Sequence, residues 1–461
     1  MLFSTPFFVF AFLPVFFAVY WFLPAHRWFL LVGSLFFYGW GEPIFIFVVL
    51  ASALFDWILG KQITKRGPHA KWWVALGVVA NLGLLFYAKY TAFAVANLNT
   101  LFHDAGWKTW PVPKIALPLG VSFIVFEKIT YVVDLYRKAA PPAKSLLDYL
   151  NYVFLFPKLL AGPIVKYHDI AAQLSQPTHR YLDVEEGLIR FLRGLAKKVL
   201  IADLVAPIAN DVFALSPTSL DPGSAWLGLA CFTVQIYFDF SGYSDMAIGM
   251  ARMLGFRLME NFRDPYLATS FTDFWRRWHI SLSTWIKEYL YIPLGGNRVS
   301  TARNYLNLCI CFLLCGLWHG ASWQFVIWGA IHGIVLVWDR AFWLRFSQRL
   351  PRLINIALTF FGIMLTWVFF RCESATRAFH FFHALAGATS SHPNSILLRP
   401  DTVVVLSIAA FLVFLPLVRS IPPEPVPNRR ILALASSLAL LLACAGRMTV
   451  SSFQPFLYFR F

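Results

Sequence analysis

Three of the eleven histidines, His279, His319 and His332, lie between Phe271 and Gly333, the part of the chain that packs charge against tryptophan most densely. A neutral imidazole near pH 7 can take a proton from an attacking group, so each is a candidate general base. His319 stands in Gly316-Leu317-Trp318-His319-Gly320, inside a run from Tyr305 to Trp338 that has no Asp, Glu, Lys or Arg. An ionisable residue in such a run is a functional candidate by default. Burial among Trp318, Trp323 and Phe325 favours its neutral form. The alternative is a core histidine bonded to a backbone carbonyl. For His279 the alternative is an interfacial imidazole beside Trp275 and Trp278. His332 follows His319 by 13 residues. On a continuous helix it would point about 220° away, which favours a structural role.

Two kinds of element must position these groups. At about 100° per residue, Phe271, Phe274, Trp275, Trp278, Leu282, Trp285, Ile286 and Tyr289 share one face. Asp273, Arg276, Arg277, Ser283, Thr284, Lys287 and Glu288 share the other, with His279 on the border. The spacing predicts one amphipathic helix ended by Pro293 and Gly295-Gly296, too polar for lipid and suited to an interface or a wet cavity. The next stretch predicts two apolar helices with a break at Gly316 to Gly320. The first, roughly Asn304 to Leu317, would rise only about 21 Å against a hydrocarbon core of about 30 Å. The break and His319 are therefore expected below the membrane surface. Irregular backbone there needs protein or a water-filled cavity around it.

The composition sets the class. Of 461 residues, 59% are hydrophobic and 13% charged, and several apolar runs are long enough to span a bilayer. This predicts an all-α polytopic membrane protein of about 11–13 helices, some of them re-entrant or interfacial. The formal charge of +16 fits basic residues that flank spans and face anionic lipid, and no nucleic-acid partner is expected. Cys309, Cys311 and Cys315 have no acidic residues or second cysteine cluster to complete a metal site, and read as small buried hydrophobes. The N-terminus has no basic region or small-residue cleavage site and reads as a retained first span. Pro157, Gly162 and Pro163 interrupt the segment from Ser145 to Tyr167. Asp239, Tyr243 and Asp245 sit inside an apolar span, where they would tie one helix to the next.

FDFSGYSDMAIG (Phe238 to Gly249), ENFRDPY (Glu260 to Tyr266), FWRRWHISLSTW (Phe274 to Trp285), LYIPLGGN (Leu290 to Asn297) and GLWHGASW (Gly316 to Trp323) resemble the membrane-bound O-acyltransferase family. The particular resemblance is to its bacterial branch that acetylates exported polysaccharide such as alginate, and it runs from the MLFSTPFF start to the PFLYFRF end. It implies a single integral membrane domain over 1–461, with helices around a transmembrane tunnel. The family's two signature histidines fall on His279 and His319, the second being the catalytic one. His319 is then the expected general base, with His279 positioning the substrate or assisting. An acyl thioester, acetyl-CoA or another, would enter from the cytoplasm, and the acceptor hydroxyl from the other side. No bound cofactor and no metal are implied. Asn297, Trp318 and Ser322 are the polar candidates nearest in sequence for holding the oxyanion. Arg276 and Arg277, with Lys287 and Arg298, would attract the phosphates of coenzyme A or an acidic carrier, or else form a solvated face against anionic lipid. The aromatic C-terminus resembles that of a small partner in the D-alanylation system, which makes Tyr458 a candidate acyl relay, with an interfacial anchor as the alternative. The implied surroundings are the bacterial inner membrane, a periplasmic or membrane-anchored O-acetyltransferase partner and a polysaccharide export complex.

Three other functions fit the same residues. One is O-acetylation of peptidoglycan or cellulose by the same machinery. Another is a non-catalytic transporter of the acyl carrier, in which no single histidine would abolish turnover. The third is a scaffold for the export complex, in which loss of His319 would be silent.

Overall fold

The computed structural model describes residues 1–23, 26–387, 396, 398–417, 427–450 and 455–457. Every regular element among them is helical, with α, 3-10 and π turns. Among the described residues, six helices are long and apolar enough to cross a membrane: Phe45–Thr64, Ala70–Asp104, Trp323–Arg349, Arg352–Arg371, Pro400–Leu417 and Ile431–Val450. The protein is an all-α, multi-pass membrane protein. Several other expected segments are helical too, but they are shorter or carry charge. The chain divides into two compact units, Met1–Phe191 with Ser244–Met259, and Leu192–Tyr243 with Glu260–Phe461.

The first unit buries charge in pairs. Helix Val121–Arg137 packs against Phe45–Thr64 and Ala70–Leu85. Its Lys128 reaches Asp56 at 3.1 Å, and Asn81 donates to both Asp56 oxygens at 3.0 Å. Glu127, one residue earlier, pairs with Lys158 and accepts the Val165 N–H at 3.1 Å. Lys158 lies in the interrupted stretch that the prolines and Gly162 mark, where the chain forms the short helices Leu146–Phe154 and Phe156–Leu159. Lys158 and Glu127 are 0% and 1% exposed, so each can carry charge only because the other is there.

The second unit holds all three histidines. Helices Thr301–His319 and Trp323–Trp338 pack against each other through glycine. A Cβ on Gly316 would lie 2.2 Å from the Phe325 carbonyl oxygen, and one on Gly329 would lie 2.3 Å from that of Phe312. Both distances are well inside contact, so the two backbones approach this closely only because those side chains are absent. Helix Arg352–Arg371 and the short helix Phe271–Trp275 pack against Trp323–Trp338.

Two expectations are corrected. The amphipathic helix is not continuous: it forms Phe271–Trp275, turns, and resumes as Ile280–Ile286. The cause is an insertion from the preceding loop. The Ile280 N–H bonds to the Asn261 carbonyl at 3.0 Å, and the Arg277 carbonyl accepts the Arg263 N–H at 2.9 Å. Those groups are thereby lost to helical bonding. His279 takes the left-handed conformation at the break, with φ +44°, and is fully buried rather than on a border. The second correction concerns the apolar helix, which runs Thr301–His319, 19 residues. That is about 28 Å, close to a hydrocarbon thickness. The break falls at Gly320 to Ser322, after His319, so helix length alone no longer requires His319 to lie below the surface.

Glu127→Ala leaves the Lys158 ammonium buried without its carboxylate. The expected loss is about 3–5 kcal/mol, the range for breaking a buried pair from one side. It should appear as a lowered thermal midpoint in detergent, and Glu127→Ala with Lys158→Met should recover most of it. An equal midpoint for wild type and Glu127→Ala would show that the pair contributes nothing.

Candidate active site

The three imidazoles lie on one ladder of ring contacts. The Trp318 ring is 6.1 Å from His279 and 5.0 Å from His319. The Trp328 ring is 5.2 Å from His319 and 4.6 Å from His332. Phe370 closes over His319 at 5.3 Å. Residues far apart in sequence thus converge on an aromatic cluster, with His319 at its centre and 5% exposed.

Their hydrogen-bond partners assign different chemistry to two of them. Asn261 Oδ1 accepts the Ser281 N–H at 3.2 Å and the Ser281 hydroxyl at 2.9 Å, and lies 3.1 Å from His279 Nδ1. A backbone N–H only donates, so the amide must present its oxygen, and His279 Nδ1 must carry the hydrogen. The lone pair of His279 is then on Nε2. His279 lies outside the six long spans, and burial pushes its pKa down to about 3, so it is neutral at physiological pH. His332 has the opposite arrangement. The Trp275 indole donates to its Nδ1 at 3.2 Å, which occupies that lone pair and leaves the hydrogen on Nε2. A histidine whose lone pair already holds a tryptophan is suited to structure, not to proton abstraction.

His319 is the last residue of its helix, at the carbonyl end of that dipole. Ser322 is the N-cap of the next helix, at the amide end. Its Oγ is shielded from solvent and has no hydrogen-bond partner among the described residues. One short turn therefore places a histidine where a positive charge is favoured beside a hydroxyl where a negative charge is favoured.

A cavity of about 370 Å³ opens in the same unit. Arg276, Lys287 and Arg340 line it, and no carboxylate is among its lining residues. Leu308, Cys311, Phe312 and Cys315 form part of its wall, a stripe along Thr301–His319. His319 is the next position on that stripe, four residues past Cys315 and about 6 Å further along the axis.

The remaining candidates fall as follows. Arg277 is spent on Asp273, at 2.8 Å, while its neighbour Arg276 faces the cavity. Asn297 is exposed in the turn before Thr301–His319, as is Arg298. Asn307 ties that turn to its helix through the Leu294 and Gly296 carbonyls at 3.1 and 3.3 Å. His319 lies 12 residues beyond Asn307, about 18 Å along the helix, so Asn297 is not brought to it. Asp239 bonds to Lys198 and the Leu457 N–H, and in the first unit Asp245 bonds to Arg190. Tyr458 lies outside the described residues. Among the described residues no three His, Cys, Asp or Glu side chains gather as metal ligands. Two residues of the site were not singled out from sequence. Asn261 stood inside the ENFRDPY motif without a role. Arg340 continues the stripe of His332 and Leu336 at four-residue steps, and that continuation was its only signal.

A family model described as membrane-bound O-acyltransferase matches residues 16–374. The chain is 40% identical to a probable alginate O-acetylase of Azotobacter vinelandii over 502 aligned residues, covering all of both chains. It is 38% identical to a peptidoglycan O-acetyltransferase of Helicobacter pylori over 427 residues, 84% of this chain and 80% of that one. Over 334 residues it is 24% identical to a teichoic acid D-alanyltransferase of Bacillus subtilis, 66% of this chain and 81% of the relative.

Asn261→Ala removes the acceptor of the Ser281 N–H and of the His279 Nδ1–H in a buried site. Each orphaned donor costs about 1–3 kcal/mol. The thermal midpoint in detergent should fall accordingly. An unchanged midpoint would mean that another group takes over as acceptor.

Proposed function

This chain belongs to the membrane-bound O-acyltransferase family, and on that premise we propose how its site performs the reaction. It is a multi-pass membrane O-acyltransferase that acetylates polysaccharide. The observation that carries the finer reading is the cationic cavity whose wall ends one helical turn from His319. The donor is a thioester such as acetyl-CoA, drawn from the cytoplasm, with its phosphates held by Arg276, Lys287 and Arg340. Its carbonyl comes to rest in the turn between His319 and Ser322.

His319 takes the proton of the acceptor hydroxyl as that oxygen attacks the thioester carbonyl. The carbonyl oxygen gains the negative charge and is held by the Ser322 hydroxyl and the amide end of Trp323–Trp338, while the carbonyl end of Thr301–His319 favours the imidazolium. The intermediate then collapses. The C–S bond breaks, the leaving sulfur takes the proton from His319, and the acetyl ester and free thiol remain. Trp318 packs between His279 and His319, and His279 positions the substrate. Tyr458 is the proposed first acceptor, handing acetyl to a periplasmic or membrane-anchored partner beside an export complex in the bacterial inner membrane. The polymer is an exported polysaccharide such as alginate. The similarity to the Helicobacter relative supports peptidoglycan as the second reading. We read residues 1–461 as one catalytic domain, because the chain passes between its two units three times and the family match spans both.

His319→Ala, with insertion confirmed by a reporter tag, should lose about 10²–10⁴-fold of acetyl transfer from labelled acetyl-CoA. Undiminished transfer would remove His319 as the base and return weight to a transporter or a scaffold. Arg276→Ala with Arg340→Ala should raise KM for acetyl-CoA about tenfold, the effect of losing roughly 1.4 kcal/mol of binding. It should leave KM for an acetyl-pantetheine donor without the nucleotide phosphates unchanged. Equal shifts for both donors would count against phosphate binding in the cavity.

A further inference from the structure

We propose that Lys198 and Asp239 form an anchor for the C-terminal end of the chain, and that both are positioning residues for acyl transfer. The proposal rests on the acyltransfer reading above but not on which histidine is the base. It starts from how the two helices meet. A Cβ on Gly242 would lie 2.7 Å from the Gly194 carbonyl oxygen, so Pro222–Met253 touches the backbone of the preceding helical segment there. One turn before Gly242, that contact sets Asp239 against Lys198. The Lys198 Nζ lies 2.8 Å from Asp239 Oδ1 and 2.7 Å from Asp203 Oδ1. Lys198 is 3% exposed and Asp239 1%.

An ion pair this deeply buried adds little stability over well-packed apolar side chains, so its presence invites a role. The second oxygen of Asp239 supplies one. It accepts the Leu457 N–H at 2.7 Å, across 218 residues of sequence. A hydrogen bond to a carboxylate is about twice as strong as one between neutral groups, and the Lys198 ammonium against the other oxygen holds this carboxylate in place to accept it. The side chains on either side of that bond are docked too. Phe456 and Leu457 are each 2% exposed. Phe456 stacks on Tyr243 with ring centres 4.7 Å apart and lies 5.7 Å from Phe240. Phe240 in turn meets His279 edge-on at 4.7 Å. One aromatic ring therefore separates the anchored segment from the His279 imidazole. Asp239, Phe240, Gly242 and Tyr243 all belong to the same FDFSGYSD stretch: the carboxylate binds the tail, the two rings receive it, and the glycine sets the ion pair.

The test uses the full-length chain in lipid nanodiscs. Carboxypeptidase digestion followed by mass spectrometry should halt before Leu457 in wild type, and proceed past Phe456 in Asp239→Ala and Lys198→Met. Leu457→Pro removes the donated N–H and leaves the ion pair intact. It and Asp239→Ala should each lower kcat by about 10–100-fold, the usual effect of misplacing a reacting group by an ångström, with KM for acetyl-CoA unchanged. His319→Ala should be trimmed as wild type is, which keeps this outcome separate from the assignment of the base. Wild-type trimming of Asp239→Ala would overturn the proposal, as would wild-type kcat in Leu457→Pro. Should Asp239→Ala fail to insert, the kinetics of Leu457→Pro decide.

Discussion

Helices Thr301–His319 and Trp323–Trp338 touch through their backbones at Gly316 and Gly329. Much of the site follows from that contact. Because the helices lie this close, the chain needs only Gly320 to Ser322 to reverse direction. The reversal brings the carbonyl end of one helix beside the amide end of the other, with His319 on the first and Ser322 on the second. The same closeness lets Trp328, on the returning helix, touch His319, while His332 lies one turn further along Trp328's own helix. A side chain at either glycine would push the helices apart and separate the histidine from the groups that face it.

Around this pair the protein obeys the rule that a polar group away from water must find its partner within the chain. Asn261 shows how far one side chain can serve. Its carbonyl and amide oxygens between them take three N–H groups or hydroxyls at the start of Ile280–Ile286, and its placement also decides which nitrogen of His279 carries hydrogen. In the first unit the same rule produces the Glu127–Lys158 and Asp56–Lys128 pairs. These pairs contribute little over apolar packing but are costly to break from one side. They fix the helices that carry them in a single arrangement.

Much of the second unit was legible in its residues, and the parts that were not share a cause. The glycines around Trp318-His319 announced a break, and a break is there. It lies after His319 because Gly316 is used for close packing within a helix, not for ending one. The aromatic stripe from Phe271 to Tyr289 has helical periodicity, and periodicity cannot register a loop from elsewhere. Asn261 acts on residues 18 to 20 positions away and so left no local trace of the turn at His279. Arg340 stands just past the end of an uncharged run, a position that basic residues flanking a span commonly take. Only the folded stripe shows that it turns into a cavity with Arg276 and Lys287.

The ring ladder has one more consequence. Along it, imidazoles alternate with indoles: His279, Trp318, His319, Trp328, His332. An indole N–H donates but does not exchange its hydrogen as an imidazole does. A proton that reaches His319 therefore has no imidazole-to-imidazole hop along this ladder to follow. His332, its Nδ1 already engaged by Trp275, could not accept one without breaking that bond. The tryptophans act as insulators between titratable groups. Three buried imidazoles in one cluster are thereby kept from forming a relay of directly touching rings.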